Sequence, residues 1–171
     1  ATRDAVLAEL SNHEVLHFSC HGYANFASPL DSGLLMANDE VLSLRDFFNI
    51  DLQGVRLAIL SACETGLPGT KLPDEVVSLP TGLLQAGVAG VAASLWSVAD
   101  LSTMMLLVRF YDYWQNDKLE PAEALRKAQQ WVRDTSNGEK EAYFKGFIPD
   151  LEGSRMPYGA ASALYQSLAF S

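Results

Sequence analysis

The chain has 171 residues, enough for one hydrophobic core, and we predict a single domain over residues 1–171. Its 12 basic against 21 acidic residues give a net charge of −9, and the scattered basic residues exclude a cationic patch for direct nucleic-acid binding. No apolar stretch approaches the roughly 20 residues of a membrane span, and the two cysteines are too few for a secreted disulfide framework, so we expect a cytoplasmic protein.

The chain opens on a helical pattern and a first strand. Residues 1–12 carry a short helical pattern that begins in mid-pattern, which predicts that the chain is the later part of a longer protein. Residues 14–20 are apolar and β-prone, and they predict a strand that closes at His21. His13 and His17 flank or lie within this strand, and we interpret both as structural. Their spacing gives little support to a zinc site, so no metal or other cofactor is predicted.

A hairpin and a short helix are predicted next. Residues 23–33 contain the proline, aspartate, serine and glycine of a loop. Two short extended pieces hinged at Asn38-Asp39 then predict a small hairpin at the edge of the sheet. Ser43 is predicted to cap the brief helix that follows.

Residues 55–60 are apolar except for Arg56, which predicts a buried parallel strand, and the apolar run stops at Ser61-Ala62-Cys63. Cys63 is therefore expected at the carboxyl end of the strand. In open α/β sheets this is the edge where ligands bind and reactive side chains are presented. By itself, however, a free cysteine there is more often packed as a small hydrophobe.

Two further elements follow the cysteine. Residues 79–86 predict a helix with a proline in its first turn and Gly87 as its stop. Residues 88–96 are small and branched without alternation, which predicts a strand covered on both faces.

The last third of the chain predicts helices. Residues 101–114 have the i, i+3, i+4, i+7 spacing of a buried helix face. Residues 121–134 begin with a proline and carry a glutamate and a lysine four apart, again typical of a helix. Residues 137–157 are interpreted as an irregular loop, and periodicity does not decide between strand and helix for residues 158–170. The whole order predicts an α/β sandwich with a mostly parallel sheet.

His21 and Cys63 close two predicted parallel strands, so they emerge at one edge of the sheet if those strands are neighbours. A thiol attacks best as a thiolate, and an imidazole exchanges a proton near neutral pH, so the pair supplies both roles for acyl transfer. Gly22 allows the backbone to approach a substrate closely. Its N–H and that of Cys63 are predicted to hold a developing oxyanion. Cys20, directly before the histidine, is interpreted as core.

Four phrases of the sequence resemble the CHAT domain, the caspase-like domain that usually follows tetratricopeptide repeats. The resemblance spans nearly the whole chain, and the later phrases are similar to its bacterial, notably cyanobacterial, branch. The phrases are HFSCHG (17–22), LSACETG (60–66), DEVVSLPTGLLQAGVAGVAASLWSVADLST (74–103) and EPAEALRKAQQWVRD (120–134).

The resemblance implies a caspase-like three-layer α/β sandwich and the function of a cysteine endopeptidase. In the caspase, separase and gingipain group, the histidine of HG and the cysteine of SAC form the dyad, which makes His21 the general acid/base and Cys63 the nucleophile. It also implies protein or peptide substrates and a preceding repeat or sensor region that gates the activity. The chain departs from the family near its end, where MPYGAAS (156–162) lacks the usual tryptophan.

Four residues are candidates for a substrate pocket. WSVAD resembles a separase motif whose acidic residue recognises a basic P1 side chain, which makes Asp100 a candidate for that role. The alternative is that Asp100 caps the following helix. Trp96 and Ser97 end a predicted strand near the same edge, and Asp31 is a weaker acidic candidate on a loop.

Two rivals to the endopeptidase remain open. The first is a pseudoprotease, a scaffold or signalling module that keeps the dyad but acts by binding. The second, ranked last, is a cysteine-dependent hydrolase of small esters. The sequence does not reveal the P1 residue, the physiological substrate, the activating signal or the oligomeric state.

Overall fold

The computed structural model describes residues 1–25, 27–61, 78–95 and 98–145, and over these residues it mixes strands and helices. The strands are β1 (Val15–Phe18), β2 (Gly22–Tyr23), β3 (Gly33–Leu35), β4 (Val41–Ser43), β5 (Leu57–Leu60) and β6 (Val91–Ala93). The helices are α1 (Arg3–Glu9), α2 (Leu44–Phe47), α3 (Leu79–Gln85), α4 (Asp100–Tyr111), α5 (Pro121–Asp134) and α6 (Asn137–Lys145). The chain divides into two compact units, residues 1–98 and 99–171. The single domain predicted over residues 1–171 stays a prediction.

A parallel sheet in the order β1-β5-β6 organises the first unit. Its middle strand is the apolar run LAIL, and all four of its residues are buried. Both neighbours run parallel to β5, with Phe18 opposite Leu60 on one side and Ala93 opposite Leu60 on the other. The predicted α/β fold with a mostly parallel sheet is therefore confirmed.

The predicted hairpin is present, but it belongs to a second sheet. Strands β3 and β4 pair antiparallel, and the chain reverses through Asn38 and Asp39, whose φ angles are 63° and 58°. Asparagine and aspartate are the side chains that best tolerate this left-handed conformation. Strand β2, which overlaps the predicted loop only at Tyr23, pairs with β3 and extends the hairpin to a three-stranded antiparallel sheet.

The short helices of the first unit begin and end where the sequence predicts. Ser43 caps α2 in a capping box: its Oγ accepts the Asp46 N–H at 3.4 Å, and the Asp46 carboxylate accepts the Ser43 N–H at 2.9 Å. Helix α3 carries Pro80 in its first turn and is followed by Gly87 at φ 107°, a conformation that favours glycine.

Helix α2 packs against the end of β1. Phe47 of this helix is fully buried, and its ring meets that of Phe18 edge to face, with centroids 6.5 Å apart. The rest of the core comes from apolar side chains of both sheets, α2, α3 and the turn before β5. Its fully buried members include Leu34, Leu42, Leu52 and Leu83.

Asp46 links the capping box to the first helix, because its carboxylate also accepts two hydrogen bonds from Arg3, at 2.6 and 3.0 Å. Burial raises the pKa of this carboxyl, but the bonds from Arg3 and Ser43 outweigh it and hold the pKa below its ordinary value. The ionised form is thus the one that stabilises the folded chain.

We expect Asp46→Ala to lower the free energy of unfolding by about 1–2 kcal/mol in urea denaturation at pH 7, through loss of the cap and the Arg3 pair. Asp4→Ala, which removes a partner of Arg3 that is 88% exposed, is the control and is expected to change little. Because the folded-state pKa of Asp46 is lowered, its contribution persists above the unfolded value of 3.8 and is lost as the pH falls below that value. Equal effects of the two variants would contradict this role.

One strand prediction is wrong in part. Residues 88–96 were expected to form a strand covered on both faces, but β6 spans only Val91–Ala93, and each of its residues is half-buried. Within the described residues β6 is an outer strand of its sheet, with β5 on one side. Small and branched side chains without alternation therefore do not by themselves predict that both faces of a strand are fully buried.

The second unit is helical over its described residues. Helix α4 passes into a π-helical turn at Asp112–Asn116, and α5 spans the range that the sequence predicts. The side chain of Glu123 pairs with Arg126, at 2.6 Å, rather than with Lys127 as expected. The Arg109 guanidinium lies over the rings of Tyr113 and Trp131, with Cζ 4.4 and 5.1 Å from their centroids, and so joins α4 to α5.

The predicted loop at residues 137–157 is wrong in its first part, where α6 forms. The cause is a capping box that sequence reasoning missed. Ser136 Oγ accepts the Glu139 N–H at 3.4 Å, while the Glu139 carboxylate accepts the Ser136 N–H at 3.0 Å. The undecided element at residues 158–170 lies outside the described residues.

Candidate functional site

The two strands that precede His21 and Cys63 are neighbours. Strands β1 and β5 pair in parallel and end on one matched pair, Phe18 opposite Leu60. His21 follows Phe18 by three residues, and Cys63 follows Leu60 by three residues. Cys63 itself lies outside the described residues. The expectation that the two strands are adjacent is thus confirmed, and both reactive residues follow the same edge of the sheet in sequence.

His21 lies where the chain passes from one sheet to the other. Strand β1 ends at Phe18, earlier than predicted, and His21 directly precedes β2 of the antiparallel sheet. The His21 carbonyl accepts the Leu35 N–H at 2.8 Å, which fixes its backbone against β3. The residue is exposed. Its backbone is therefore held by the second sheet while its imidazole is accessible to solvent.

The backbone N–H of Gly22 is directed away from β3. Gly22 stands opposite Leu34, and the Leu35 N–H bond to the His21 carbonyl flanks that pair. In an antiparallel ladder this makes Gly22 and Leu34 a non-hydrogen-bonded pair, whose own N–H groups point outward from the two strands. Strand β2 is also an outer strand of its sheet. The N–H expected to act on an oxyanion is thus not used in pairing with β3.

The exits of β1 and β5 are joined by three contacts at Ser61. Its N–H donates to the Phe18 carbonyl at 3.0 Å, and its hydroxyl donates to the same oxygen at 3.1 Å. The hydroxyl oxygen also lies 3.2 Å from His17 Nε2. Sequence reasoning missed this role of His17. The contact depends on the pairing register of β1 and β5, and neither strand's sequence alone predicts that register.

Cys20 behaves as the sequence predicts for a core residue. It is half-buried and packs against the hydrophobic core of the first unit. Burial raises the pKa of its thiol, which disfavours the reactive thiolate. Cys20 is therefore a poor nucleophile.

Asp31, a candidate for the substrate pocket, is already engaged. Its carboxylate accepts hydrogen bonds from the Ser28 hydroxyl at 2.5 Å and from the Arg45 guanidinium at 2.9 and 3.1 Å. The bonds from Ser28 and then Arg45 lower the pKa of Asp31. These contacts give Asp31 a role in anchoring the loop before β3 to α2, and its part in substrate binding stays a prediction.

Asp100 differs from Asp31 because its carboxylate is exposed and has no partner within the described residues. It is the first residue of α4, and Ala99 is the N-cap, so the alternative that Asp100 is itself the cap is wrong. Its negative charge in the first turn still suits the helix dipole. Trp96 and Ser97, the other two pocket candidates, lie outside the described residues.

In the described part of the chain, histidine, cysteine, aspartate and glutamate side chains do not come together in groups of three or more that could hold a metal ion. Among the same residues, no helix combines the length and apolar character needed to span a membrane.

Comparison with known protein families gives one finding. The family model of the CHAT domain matches residues 1–162, which is most of the chain and includes both phrases HFSCHG and LSACETG. A comparison with curated proteins gave no match.

Proposed function

Because the chain belongs to the CHAT domain family, a caspase-like family related to the cysteine peptidases, we propose that it is a cysteine endopeptidase. His21 and Cys63 form its catalytic dyad. The observation that carries the proposal is the parallel pairing of β1 with β5, because both residues follow the matched ends of those strands by three positions. Three residues of extended chain reach about 10–11 Å at most, so the two segments start from one point at the edge of the sheet.

The reaction needs only groups that this chain supplies. The Cys63 thiolate attacks the scissile carbonyl carbon, and the C–N bond breaks as His21 gives a proton to the leaving amine. Water then attacks the thioester and gives a proton to His21, and the C–S bond breaks, which returns the Cys63 thiolate and releases the new carboxyl group. The N–H groups of Gly22 and Cys63 hold the oxyanion in both steps. The outward direction of the Gly22 N–H supports this assignment.

The substrate is a protein or peptide, and the activity is gated. CHAT domains are often associated with tetratricopeptide repeats, and we propose that such a repeat region, or another sensor, precedes this domain and controls it in the cytoplasm. The full-length protein with its activating partner is therefore the form in which to measure cleavage.

A positional peptide library tests the function directly. The full-length protein is expected to cleave at one preferred P1 residue, which mass spectrometry of the products identifies. Binding of peptides without any cleavage under all activating conditions would favour the pseudoprotease. Turnover of small esters without a peptide preference would favour the ester hydrolase.

Asp100 is proposed to recognise a basic P1 side chain. An exposed carboxylate without a described partner is available to pair with arginine or lysine, unlike Asp31, which Arg45 and Ser28 occupy. We expect Asp100→Ala to lower kcat/KM for arginine and lysine at P1 by about 10–100-fold, the loss of one charge-assisted hydrogen bond of about 1.5–3 kcal/mol. Competing peptides in one reaction measure this ratio.

Asp117→Ala is the matched control, because Asp117 is an exposed aspartate just beyond the π-helical turn that ends at Asn116. It is expected to leave the P1 preference unchanged. A preference for apolar P1 residues in the parent protein, or an unchanged basic preference in Asp100→Ala, would remove Asp100 from the pocket.

A further inference from the structure

The Ser61 hydroxyl links the ends of the two strands. Its Oγ lies 3.1 Å from the Phe18 carbonyl, which can accept its proton, and 3.2 Å from His17 Nε2. With the hydroxyl proton donated to the carbonyl, Oγ accepts from the His17 tautomer that carries its proton on Nε2. The Ser61 N–H adds a third bond, to the same Phe18 carbonyl at 3.0 Å.

These bonds sit at the point where both strands release the chain. His17 and Phe18 are the last two residues of β1, and Ser61 is the first residue after β5. Residue 21 is four positions beyond His17, and residue 63 is two positions beyond Ser61. The paired register of the two strands runs to Phe18 opposite Leu60, and the side chains of His17 and Ser61 add a tie between the strands at that point.

We propose that His17 is a positioning residue for the dyad, and that its bond to Ser61 sets the spacing between the segments that carry His21 and Cys63. We call the bonds among His17, Phe18 and Ser61 the strand-exit latch. This inference rests on the proposed cysteine peptidase function. In this proposal His17 acts through the backbone that leads to the two residues of the dyad.

Neutral His17 suits this role. Packing around the ring partly desolvates it and lowers its pKa, although the residue as a whole is exposed. A neutral imidazole has one N–H, and when that N–H is on Nε2 it can be donated to Ser61 Oγ. The latch thus works through a hydrogen bond rather than through charge. Its functional value follows from geometry, because a misplacement of about 1 Å between reacting groups costs on the order of 100-fold in rate.

The test compares three substitutions of His17 in the full-length protein. In His17→Gln the amide N–H₂ reaches nearly as far as Nε2, whereas His17→Asn is shorter and His17→Ala has no donor. We expect kcat to fall about 10–100-fold in the alanine and asparagine variants with KM changed less than about threefold, and to recover at least about fivefold in the glutamine variant. His13→Ala is the control, because His13 is an exposed histidine on the same segment and its Nε2 lies 3.8 Å from the Glu9 carboxylate rather than near Ser61.

Ser61→Ala tests the other residue of the strand-exit latch, because it removes the hydroxyl that contacts His17. It is expected to lower kcat as His17→Ala does, and the double variant is expected to lose no more than either single change. Additive losses, or equal kcat in His17→Gln and His17→Asn, would overturn the latch. If His17→Ala does not fold, the glutamine and asparagine pair still decides the question.

The outcomes also separate this inference from the proposed function. If Cys63→Ala and His21→Ala abolish cleavage while all His17 variants keep full kcat, the latch alone is wrong. If Cys63→Ala remains fully active, the cysteine mechanism fails, and the role of His17 in it fails as well.

Discussion

Cys63→Ala and His21→Ala are each expected to abolish peptide cleavage, with kcat/KM falling by about 10³-fold or more while the fold is retained. Cys63→Ala removes the nucleophile, so no thioester forms. His21→Ala leaves the amine without a proton donor, and general acid catalysis contributes about 10²–10⁴-fold by itself. Cleavage of the preferred peptide by the full-length protein measures both losses, and circular dichroism confirms that each variant is folded.

Cys20→Ala and His13→Ala are the matched controls for these two variants. Cys20 is half-buried with a raised pKa, and His13 is exposed on the segment before β1, so neither is expected to lower cleavage more than about twofold. Full activity of Cys63→Ala would show that the thiol takes no part in the reaction. Loss of activity in Cys20→Ala alone would assign the nucleophile to Cys20 instead of Cys63.

Phe47→Ala is expected to lower the free energy of unfolding by about 3–5 kcal/mol, the range typical of replacing a buried phenylalanine with alanine. Phe47 is 0% exposed and supports Phe18 beneath the ends of β1 and β5. Since a domain is stabilised by only about 5–15 kcal/mol, this change brings the first unit close to unfolding at room temperature. Urea denaturation followed by fluorescence measures the loss.

The neighbouring residue provides the control for Phe47. Phe48 has the same side chain and lies one position away, but it is 38% exposed. Phe48→Ala is expected to cost about 1–2 kcal/mol, because less apolar area leaves water when the chain folds. Similar losses of unfolding free energy in the two variants would contradict the view that the buried Phe47 stabilises the core more than the exposed Phe48.

Local signals in the sequence predicted most of the first unit. The apolar run LAIL has no alternation, and it forms the buried middle strand. Ser43 as the cap of a brief helix, Pro80 in a first turn and Gly87 after a last turn are local signals, and the structure confirms all three. These signals depend on neighbours within a few residues, so the sequence alone contains them.

The errors concern signals that are long-range or that were overlooked. The assignment of β2 to a second sheet depends on its pairing with β3, some ten residues further on, and no local pattern in Gly22-Tyr23 announces it. Ser136 and Glu139 form a capping box at the start of helix α6, in a segment rich in charged residues and glycine. This serine-glutamate spacing is a local signal, so the start of α6 can be predicted from the sequence.

The candidate site divides in the same way. His21 and Cys63 are candidates that strand ends and family phrases identify in the sequence, and their catalytic role stays a prediction. The bond between His17 and Ser61 was not found, because it depends on β1 and β5 pairing with His17 opposite Ile59. The engagement of Asp31 by Arg45 was likewise invisible, because the two residues are separated by 14 positions and brought together by the hairpin.

The most direct test of the cysteine mechanism is covalent labelling of the full-length protein with a peptide that carries an electrophilic ketone in place of the scissile bond. The label is mapped by mass spectrometry in the presence of the activating partner. The mechanism predicts that the adduct forms on Cys63, that Cys20 is unlabelled, and that labelling slows markedly in His21→Ala. Cleavage of the matching peptide together with an unlabelled Cys63 would contradict it.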